Sequence, residues 1–282
     1  MSCDRSGQIL KKSETLKSDK LNRFIADAIE KLPADRNKLV LITDGLEKIP
    51  LISRDNGRTN HDEIFIDRGE QLKSLNCHVI YTVPISLVLS DRASDLMEIY
   101  HCSPQVLPMV MVRRRDGEIC LNGVEAIKQI IRSRLQSIDT MRDLHLAAEV
   151  FDSPETLEHL CLMSGGHVRN LILLVQTAIK YNEREQLPIE ATALQQAIRQ
   201  LRKTYRDTVN ADQWDLLAQV HRSKQIAHNT TYRSLLFTRC LLEYSEAEET
   251  WHDIHPVLRE VSEFKQALTA WDRNQTRDGI QA

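Results

Sequence analysis

The feature that most constrains the fold of this chain is a short aliphatic run that ends in a carboxylate. In LVLITDGLEKI, Leu39 to Ile49, four aliphatic residues lead through Thr43 to Asp44, and Glu47 follows three positions later. A run without polar alternation predicts a buried strand of a parallel sheet. Such a strand presents Asp44 at its carboxyl end, where open α/β sheets bind their ligands.

A second apolar run predicts a neighbouring strand. CHVIYTVPISLVL, Cys77–Leu89, predicts a strand that ends near Thr82 or Pro84. The pattern of Glu63–Leu75 predicts a helix between the two runs, after a loop over RDNGRTNHD. Strand, helix and strand in this order predict a parallel βαβ unit. Neighbouring parallel strands would place Asp44 and Thr82 side by side at one edge of the sheet.

The segments on either side of this βαβ unit show weaker secondary-structure patterns. Residues 1–18 are polar and are expected to be loose, and a helix is predicted over Leu21–Leu32, ended by Pro33. Val106–Leu121 predicts a further strand or an edge hairpin around the Asp116-Gly117 turn.

The second half of the chain is predicted to be mainly helical. Val124–Leu135 is predicted to begin a helix. The helices predicted after it are Leu144–Val150, Pro154–Met163, His167–Tyr181 and Ala191–Val209. Further helices are predicted around Asp212–Val220 and Thr231–Phe237. They precede CLLEYSEAEETWHDIHPVL, which predicts a strand, a polar turn and a strand, as in the wing of a winged helix. Trp251 is expected to anchor this hairpin in the core.

The motif SGGHVRNL, Ser164–Leu171, opens one of these helices. Its glycines allow a tight turn, and Arg169 lies in the first helical turn. A cation there opposes the helix dipole, so an anionic partner is expected for it. The alternative is a surface arginine paired with a carboxylate.

Structural alternatives stay open for the other motif residues as well. Asp44 can cap the next helix while Glu47 is solvated, and Thr82 can satisfy backbone groups before Pro84. For Arg113, Arg114 and Arg115, a solvated hairpin tip is the alternative to binding phosphates, a neighbouring nucleotide or acidic groups of a partner.

Taken together and in this order, the three motifs resemble those of the AAA+ and STAND group of P-loop ATPases. LVLITDGLE resembles the Walker B strand, particularly the DGLD/E variant of STAND and NACHT-like members. CHVIYTVP resembles the sensor 1 strand, and SGGHVRNL resembles the sensor 2 motif. The resemblance covers residues 37–205, and the winged-helix-like segment also follows such cores in related ATPases.

The resemblance implies a role for each motif residue. Asp44 would coordinate Mg²⁺ through water, and Glu47 would polarise the attacking water. Thr82 would serve as sensor 1, and Arg169 would contact the γ-phosphate of ATP. Arg132 and Arg134, like the Arg113–Arg115 run, are candidates for an arginine finger.

Two departures limit the resemblance. Many AAA+ proteins carry an acid directly after the Walker B aspartate, whereas this chain has Gly45 there. No G-x-x-x-x-G-K-[ST] motif is present, and the nearest string, GQILKKS (Gly7–Ser13), lacks the second glycine and is one residue too short. ATP and Mg²⁺ are therefore expected as cofactors only if a P-loop is supplied elsewhere.

The expected fold class is α/β, with an incomplete parallel-sheet P-loop NTPase core followed by an all-α lid and a winged-helix-like domain. The predicted boundaries are 1–36 for an N-terminal tail and helix, 37–140 for the core, 141–208 for the lid, 209–262 for the winged-helix-like domain and 263–282 for a C-terminal tail.

Composition narrows the partners. A net charge of −3 over 282 residues provides no overall positive field for nucleic acid. The six cysteines are dispersed without a CxxC pair, which argues against a zinc knuckle or a disulfide framework. No metal site is expected at His252 and His255, because no third ligand is evident. No apolar stretch approaches the ~18 residues of a membrane-spanning helix, so a cytoplasmic protein without a membrane partner is expected.

Two functions are expected from these features. The first is a nucleotide-dependent switch or assembly module derived from an AAA+/STAND-like ATPase, weak or inactive alone, whose partner is another copy or a complementing subunit that bears the P-loop. The alternative is a non-enzymatic module that binds DNA or protein through the winged-helix-like domain.

Overall fold

A computed structural model describes residues 5–54, 57–88, 90–141, 144–183, 186–226, 230–247 and 249–278. The protein is mixed α/β and mostly helical (59%), with a small two-stranded parallel sheet. Its contacts divide it into two compact units. Unit 1 is Met1–Val106 with His228–Phe237, and unit 2 is Leu107–Ala227 with Thr238–Ala282. The predicted domain boundaries at 36, 140, 208 and 262 stay predictions.

Helices make up most of both units. The α-helices are α1 (Arg5–Glu30), α2 (Asn60–Asp62), α3 (Gly69–Lys73), α4 (Ile85–Val88), α5 (Ala93–Tyr100), α6 (Leu121–Gln136), α7 (Pro154–Met163), α8 (Val168–Tyr181), α9 (Ala191–Arg206), α10 (Trp214–Ser223), α11 (Thr230–Phe237) and α12 (Ser262–Asp278). Single turns of π-helix cover Glu63–Asp67 and Leu146–Val150, and 3₁₀ turns cover Leu46–Lys48, Asp139–Met141, Ala211–Gln213 and Pro256–Glu260. The strands are β1 (Val40–Thr43), β2 (His78–Tyr81), β3 (Leu241–Glu246) and β4 (Glu249–Ile254).

The predicted pairing of the first two strands is confirmed. β1 and β2 are parallel, in a register that runs from Val40 opposite His78 to Thr43 opposite Tyr81. The segment between them is helical, as predicted, and consists of α2, the π-helical turn and α3. The helical structure begins at Asn60, which is inside the predicted loop.

The prediction that both faces of this sheet are buried is wrong. Val40, Ile42 and Ile80 are 52%, 63% and 54% exposed. These residues alternate along the two strands and lie on one face of the sheet, because successive side chains of a strand point to opposite faces. Within the described residues no third strand joins the sheet. The two strands therefore carry apolar side chains that no described residue covers.

The core of unit 1 lies beside the sheet. Phe65, Ile66, Leu87 and Leu96 form its buried cluster, with residues such as Leu46 and Tyr100 packed around them. α11 also belongs to this unit, where it contacts α4. The buried Arg233 of α11 donates from Nε to the carbonyl oxygen of Ser86, 3.1 Å away.

Three predictions about the connecting segments need correction. α1 begins at Arg5, so the expected loose tail is helical from that residue. Val106–Leu121 forms no strand of the parallel sheet. Its amides at Met109 and Val110 donate instead to the carbonyls of Glu243 and Gly166 in unit 2, and only an isolated bridge closes the turn around Gly117.

The expected C-terminal tail is helix α12. It contacts α10 and buries Phe264, which is 1% exposed and meets the ring of His221 edge-on at 5.6 Å. Burial of this aromatic side chain, rather than the helix propensity of a polar sequence, accounts for the order of the segment.

The predicted hairpin is confirmed. β3 and β4 pair antiparallel, with Tyr244 opposite Trp251, and their rings stack with centroids 4.5 Å apart. Trp251 is 2% exposed, and Leu242 completes its cluster together with Met109 and Met111. Glu248, in the predicted polar turn, lies outside the described residues. A winged-helix domain stays a prediction, since its second helix, α11, belongs to unit 1.

Truncating the hairpin anchor tests this packing. We expect Trp251→Ala to lower the free energy of unfolding by about 3–5 kcal/mol, because a buried aromatic side chain and its stacking contact with Tyr244 are lost. Urea denaturation followed by circular dichroism measures it. Thr250→Ala, at an exposed position of the same strand, is the control and should change stability by less than about 0.5 kcal/mol. Equal effects of the two substitutions would contradict the assignment.

Candidate functional site

The carboxyl end of β1 is shaped by a left-handed residue. Gly45 has φ 86°, and the chain then enters the 3₁₀ turn Leu46–Lys48. Residues with a side chain adopt this conformation at a cost. A Cβ at Gly45 would meet only Lys48 Nζ, at 3.6 Å, so the backbone angle and not lack of space favours glycine. The turn thus explains why the second acid of the motif comes at Glu47 and not at position 45.

Thr82 connects the two strands at this edge. Its amide donates to the carbonyl of Thr43 at 3.2 Å, which extends the sheet by one residue. Its hydroxyl donates to Glu47 Oε2 at 2.8 Å and accepts from the amide of Leu46 at 3.1 Å. Asp44 and Thr82 directly follow the last register pair, so they are neighbours at the carboxyl ends, as predicted.

Asp44 is exposed beside this contact. Its Oδ1 accepts a hydrogen bond from the amide of Gly45 at 2.8 Å, so the carboxylate is held by its own turn and does not cap a helix. Among the described residues, no group of three or more His, Cys, Asp or Glu side chains is placed to hold a metal ion. A single carboxylate such as Asp44 could hold a Mg²⁺ only if phosphate oxygens and water supplied the other ligands.

GQILKKS lies inside α1. A continuous helix cannot wrap its amide groups around a phosphate as a P-loop does. The described residues thus give this string no part in a nucleotide site.

Arg169 lies in unit 2, whereas Asp44, Glu47 and Thr82 lie in unit 1. It is an exposed residue of the first turn of α8. The preceding Gly165 and Gly166 have φ of 61° and 74°. A Cβ on Gly166 would come within 1.7 Å of the carbonyl oxygen of Val110, so the glycines of this motif permit a close backbone contact. That role is structural and would be needed with or without a nucleotide.

A buried polar cluster that was not predicted from the sequence supports the start of α8. Asn170 Nδ2 lies 2.8 Å from the hydroxyl of Tyr205 and 2.7 Å from Nε2 of His255. The rings of Tyr205 and His255 stack at 4.5 Å. The only available signal was the placement of polar residues on apolar helix faces, which does not indicate which of them meet. Nε2 of His252 instead lies 3.2 Å from Oε2 of Glu243.

Burial keeps the histidines of this region neutral. It lowers the pKa of His255 to about 3, with the charges of His167 and Arg259 as smaller causes. Burial also lowers the pKa of His167 to about 4, helped by the nearby Arg239. The imidazolium form is disfavoured in both cases because it would lose its hydration.

These two pKa values predict acid lability. Above pH 6.5 both histidines are neutral in the folded and unfolded chains and contribute nothing. Below it the unfolded chain takes up protons that the folded chain refuses, so stability falls by about 1.4 kcal/mol per pH unit for each histidine, until the folded pKa is reached. We expect His167→Gln to reduce the loss between pH 7 and pH 5 by about 2 kcal/mol.

Urea titrations at the two pH values measure this difference. His78→Gln is the matched control, because His78 is exposed in β2. The interpretation fails if the control reduces the loss as much as His167→Gln does.

Three of the candidate finger arginines have local partners. Arg113 donates to the carbonyl of Gly117 at 2.9 Å, Arg115 pairs with Glu249 at 3.1 Å, and Arg132 contacts Glu125 at 3.3 Å. A solvated surface accounts for these contacts.

Comparison of the chain with family models, curated proteins and solved structures gives no match. In the part of the chain that the structure describes, no helix is long and apolar enough to span a membrane.

Removing the Thr82 hydroxyl tests the geometry of this edge. We expect Thr82→Val to cost about 1–2 kcal/mol of unfolding free energy, because Glu47 and the amide of Leu46 both lose a partner. Thr82→Ser keeps the hydroxyl and should cost less. Chemical denaturation of the three proteins gives the comparison, and a valine variant as stable as the wild type would contradict the observed hydrogen bonds.

Proposed function

We propose that this chain is a nucleotide-dependent switch or assembly module derived from an ATPase of the AAA+/STAND type. In this proposal the carboxylate edge formed by Asp44, Glu47 and Thr82 acts on a nucleotide whose phosphates are held by a P-loop supplied elsewhere. The observation that carries it is the 2.8 Å hydrogen bond from Thr82 to Glu47. It joins two motifs separated by 35 positions, at the edge where parallel sheets bind ligands.

The residues divide the chemistry between them. Thr82 orients the Glu47 carboxylate, which suits it to position a water molecule near a phosphate. Asp44 is exposed beside it and suits an outer-sphere contact to Mg²⁺. A Mg²⁺ ion bound with the nucleotide would supply neutralisation of the phosphate charge. Arg169 is the sensor 2 candidate of the same proposal.

The exposed sheet face supports a partner. Val40, Ile42 and Ile80 leave apolar surface in water, although parallel sheets are normally covered on both faces. A complementing subunit that brings the P-loop would be expected to cover such a face. A second copy of the chain is the other partner the proposal allows.

The alternative, DNA binding through the winged-helix-like segment, has less support. The helix that would enter a DNA groove is α11, and its Tyr232, Arg233 and Leu236 are each 3% exposed. A helix that reads bases needs its polar side chains free.

Titration with Mg·ATP tests the proposal. We expect binding no tighter than about 1 mM, because most of the affinity for triphosphate comes from amides and a lysine that this chain does not provide. Within unit 1, amide shifts in NMR spectra should be confined to the region of Leu46 and Thr82. Asp44→Asn should weaken them, whereas Asp35→Asn, at an exposed position of unit 1, should not.

Two outcomes would contradict this expectation. Micromolar binding abolished by Asp44→Ala would show that another segment supplies a phosphate site. Shifts that are indifferent to Asp44→Asn would remove the carboxylate edge from the nucleotide site.

A further inference from the structure

Basic side chains line a surface cavity of unit 2 with a volume of about 540 Å³. Its lining includes the cations Arg114, Arg115, Arg222 and Lys224 and the carboxylates of Asp116 and Glu246. The lining thus carries four cations against two carboxylates, although three of the cations also pair with the carboxylates of Glu249, Asp272 and Asp253. Clefts lined mainly by charges of one sign concentrate ligands of the opposite sign.

Lys224 is a fixed cation of this lining. It is the residue after α10 and has φ 61°, a left-handed conformation that glycine adopts at lower cost. Its Nζ lies 2.6 Å from Oδ2 of the buried Asp253. The same carboxylate accepts from Arg259 at 2.9 Å and contacts His221 at 2.7 Å. The lysine side chain is therefore held in one place by a cluster that lies beneath the surface.

Two arginines of the lining form exposed ion pairs whose carboxylates an incoming anion can replace. Arg115 pairs with Glu249, and Arg222 makes two contacts to Asp272, at 3.0 and 2.6 Å. The side chains of Arg222 and Asp272 are 49% and 47% exposed, and ion pairs of this kind contribute little in water. An incoming anion can replace either carboxylate at small cost.

Arg114 has no side-chain partner among the described residues. The backbone of Arg114 is nevertheless fixed, because its amide donates to the carbonyl of Glu118 at 2.8 Å and its carbonyl accepts from the amide of Gly117 at 2.9 Å. A guanidinium group offers two parallel donors that match the oxygens of a phosphate.

We propose that this cavity, which contains Arg114, Arg115, Arg222 and Lys224, binds a phosphate-bearing ligand. The arginine forks contact the phosphate oxygens, and Lys224, whose ammonium group is bound to Asp253, adds to the positive charge behind them. The volume is within the range of small-molecule sites, so one or two nucleotides or a free polyphosphate would fill it. Asp116 and Glu246 oppose further negative charge and limit the site to a few phosphate groups. The proposal does not depend on Asp44 or on the ATPase-derived role.

The test uses the full chain and a charge reversal at the exposed Arg114. Two probes are compared, a fluorescein-labelled single-stranded oligonucleotide followed by anisotropy and pyrophosphate followed by calorimetry. We expect Arg114→Glu to weaken binding about tenfold and to reduce the dependence of affinity on salt by about one unit of the log–log slope. Arg199→Glu is the matched control, because Arg199 is an exposed residue of α9 in the same unit and causes the same change of net charge.

Each outcome decides the matter. Loss of oligonucleotide binding in Arg114→Glu alone supports the site and identifies a nucleic-acid backbone as the source of the phosphate. Loss of pyrophosphate binding alone supports the site and identifies a free polyphosphate. Binding of neither probe, an unchanged affinity of Arg114→Glu for both probes, or equal weakening by Arg199→Glu overturns the proposal. The Mg·ATP titration of Asp44→Asn reports on the ATPase-derived function and Arg114→Glu on this cavity, so failure of one proposal can be told apart from failure of the other.

Discussion

The arrangement of the candidate site depends on the register of two short parallel strands. Thr43 lies opposite Tyr81, so the next residues of both chains, Asp44 and Thr82, emerge together. A shift of one residue would turn every side chain of a strand to the opposite face. It would also remove the Thr82 hydroxyl from Glu47. The left-handed turn at Gly45 completes the constraint, because it directs the chain back toward the second strand.

Much of this edge could be predicted from the sequence, because strand pairing and the position of Asp44 follow from local apolar runs. The coverage of the sheet could not be predicted. Val40 and Ile42 have the composition of buried residues, but burial depends on what other elements pack against them. In the same way, the buried Phe264 that orders α12 occurs in a segment whose local sequence is mostly polar.

The position of α11 shows a second limit of sequence analysis. Its helical pattern was evident, but its place in unit 1 rests on Arg233, which lies 3.5 Å from the buried Asp62 and donates to the carbonyl of Ser86. Oδ2 of Asp62 accepts from the amide and the hydroxyl of Thr59, at 2.6 and 2.8 Å. Removing either member of a buried ion pair leaves a charge without compensation, which is strongly destabilising. A local sequence pattern cannot predict such a pair, because its two residues are distant in sequence.

The two units differ in how they can interact with phosphate. The edge of β1 and β2 offers carboxylates and a hydroxyl, which act on a metal ion or on water but repel phosphate oxygens. Affinity for phosphate comes from cations and from backbone amides that converge on one point. Unit 2 has such cations around Lys224 and Arg114, whereas the described part of unit 1 has its acidic edge without an amide nest beside it. A chain with this distribution can contribute to phosphate chemistry in unit 1 only when the phosphate is held by other groups. In the proposed function, those groups would come with the partner that covers the exposed apolar face of the sheet.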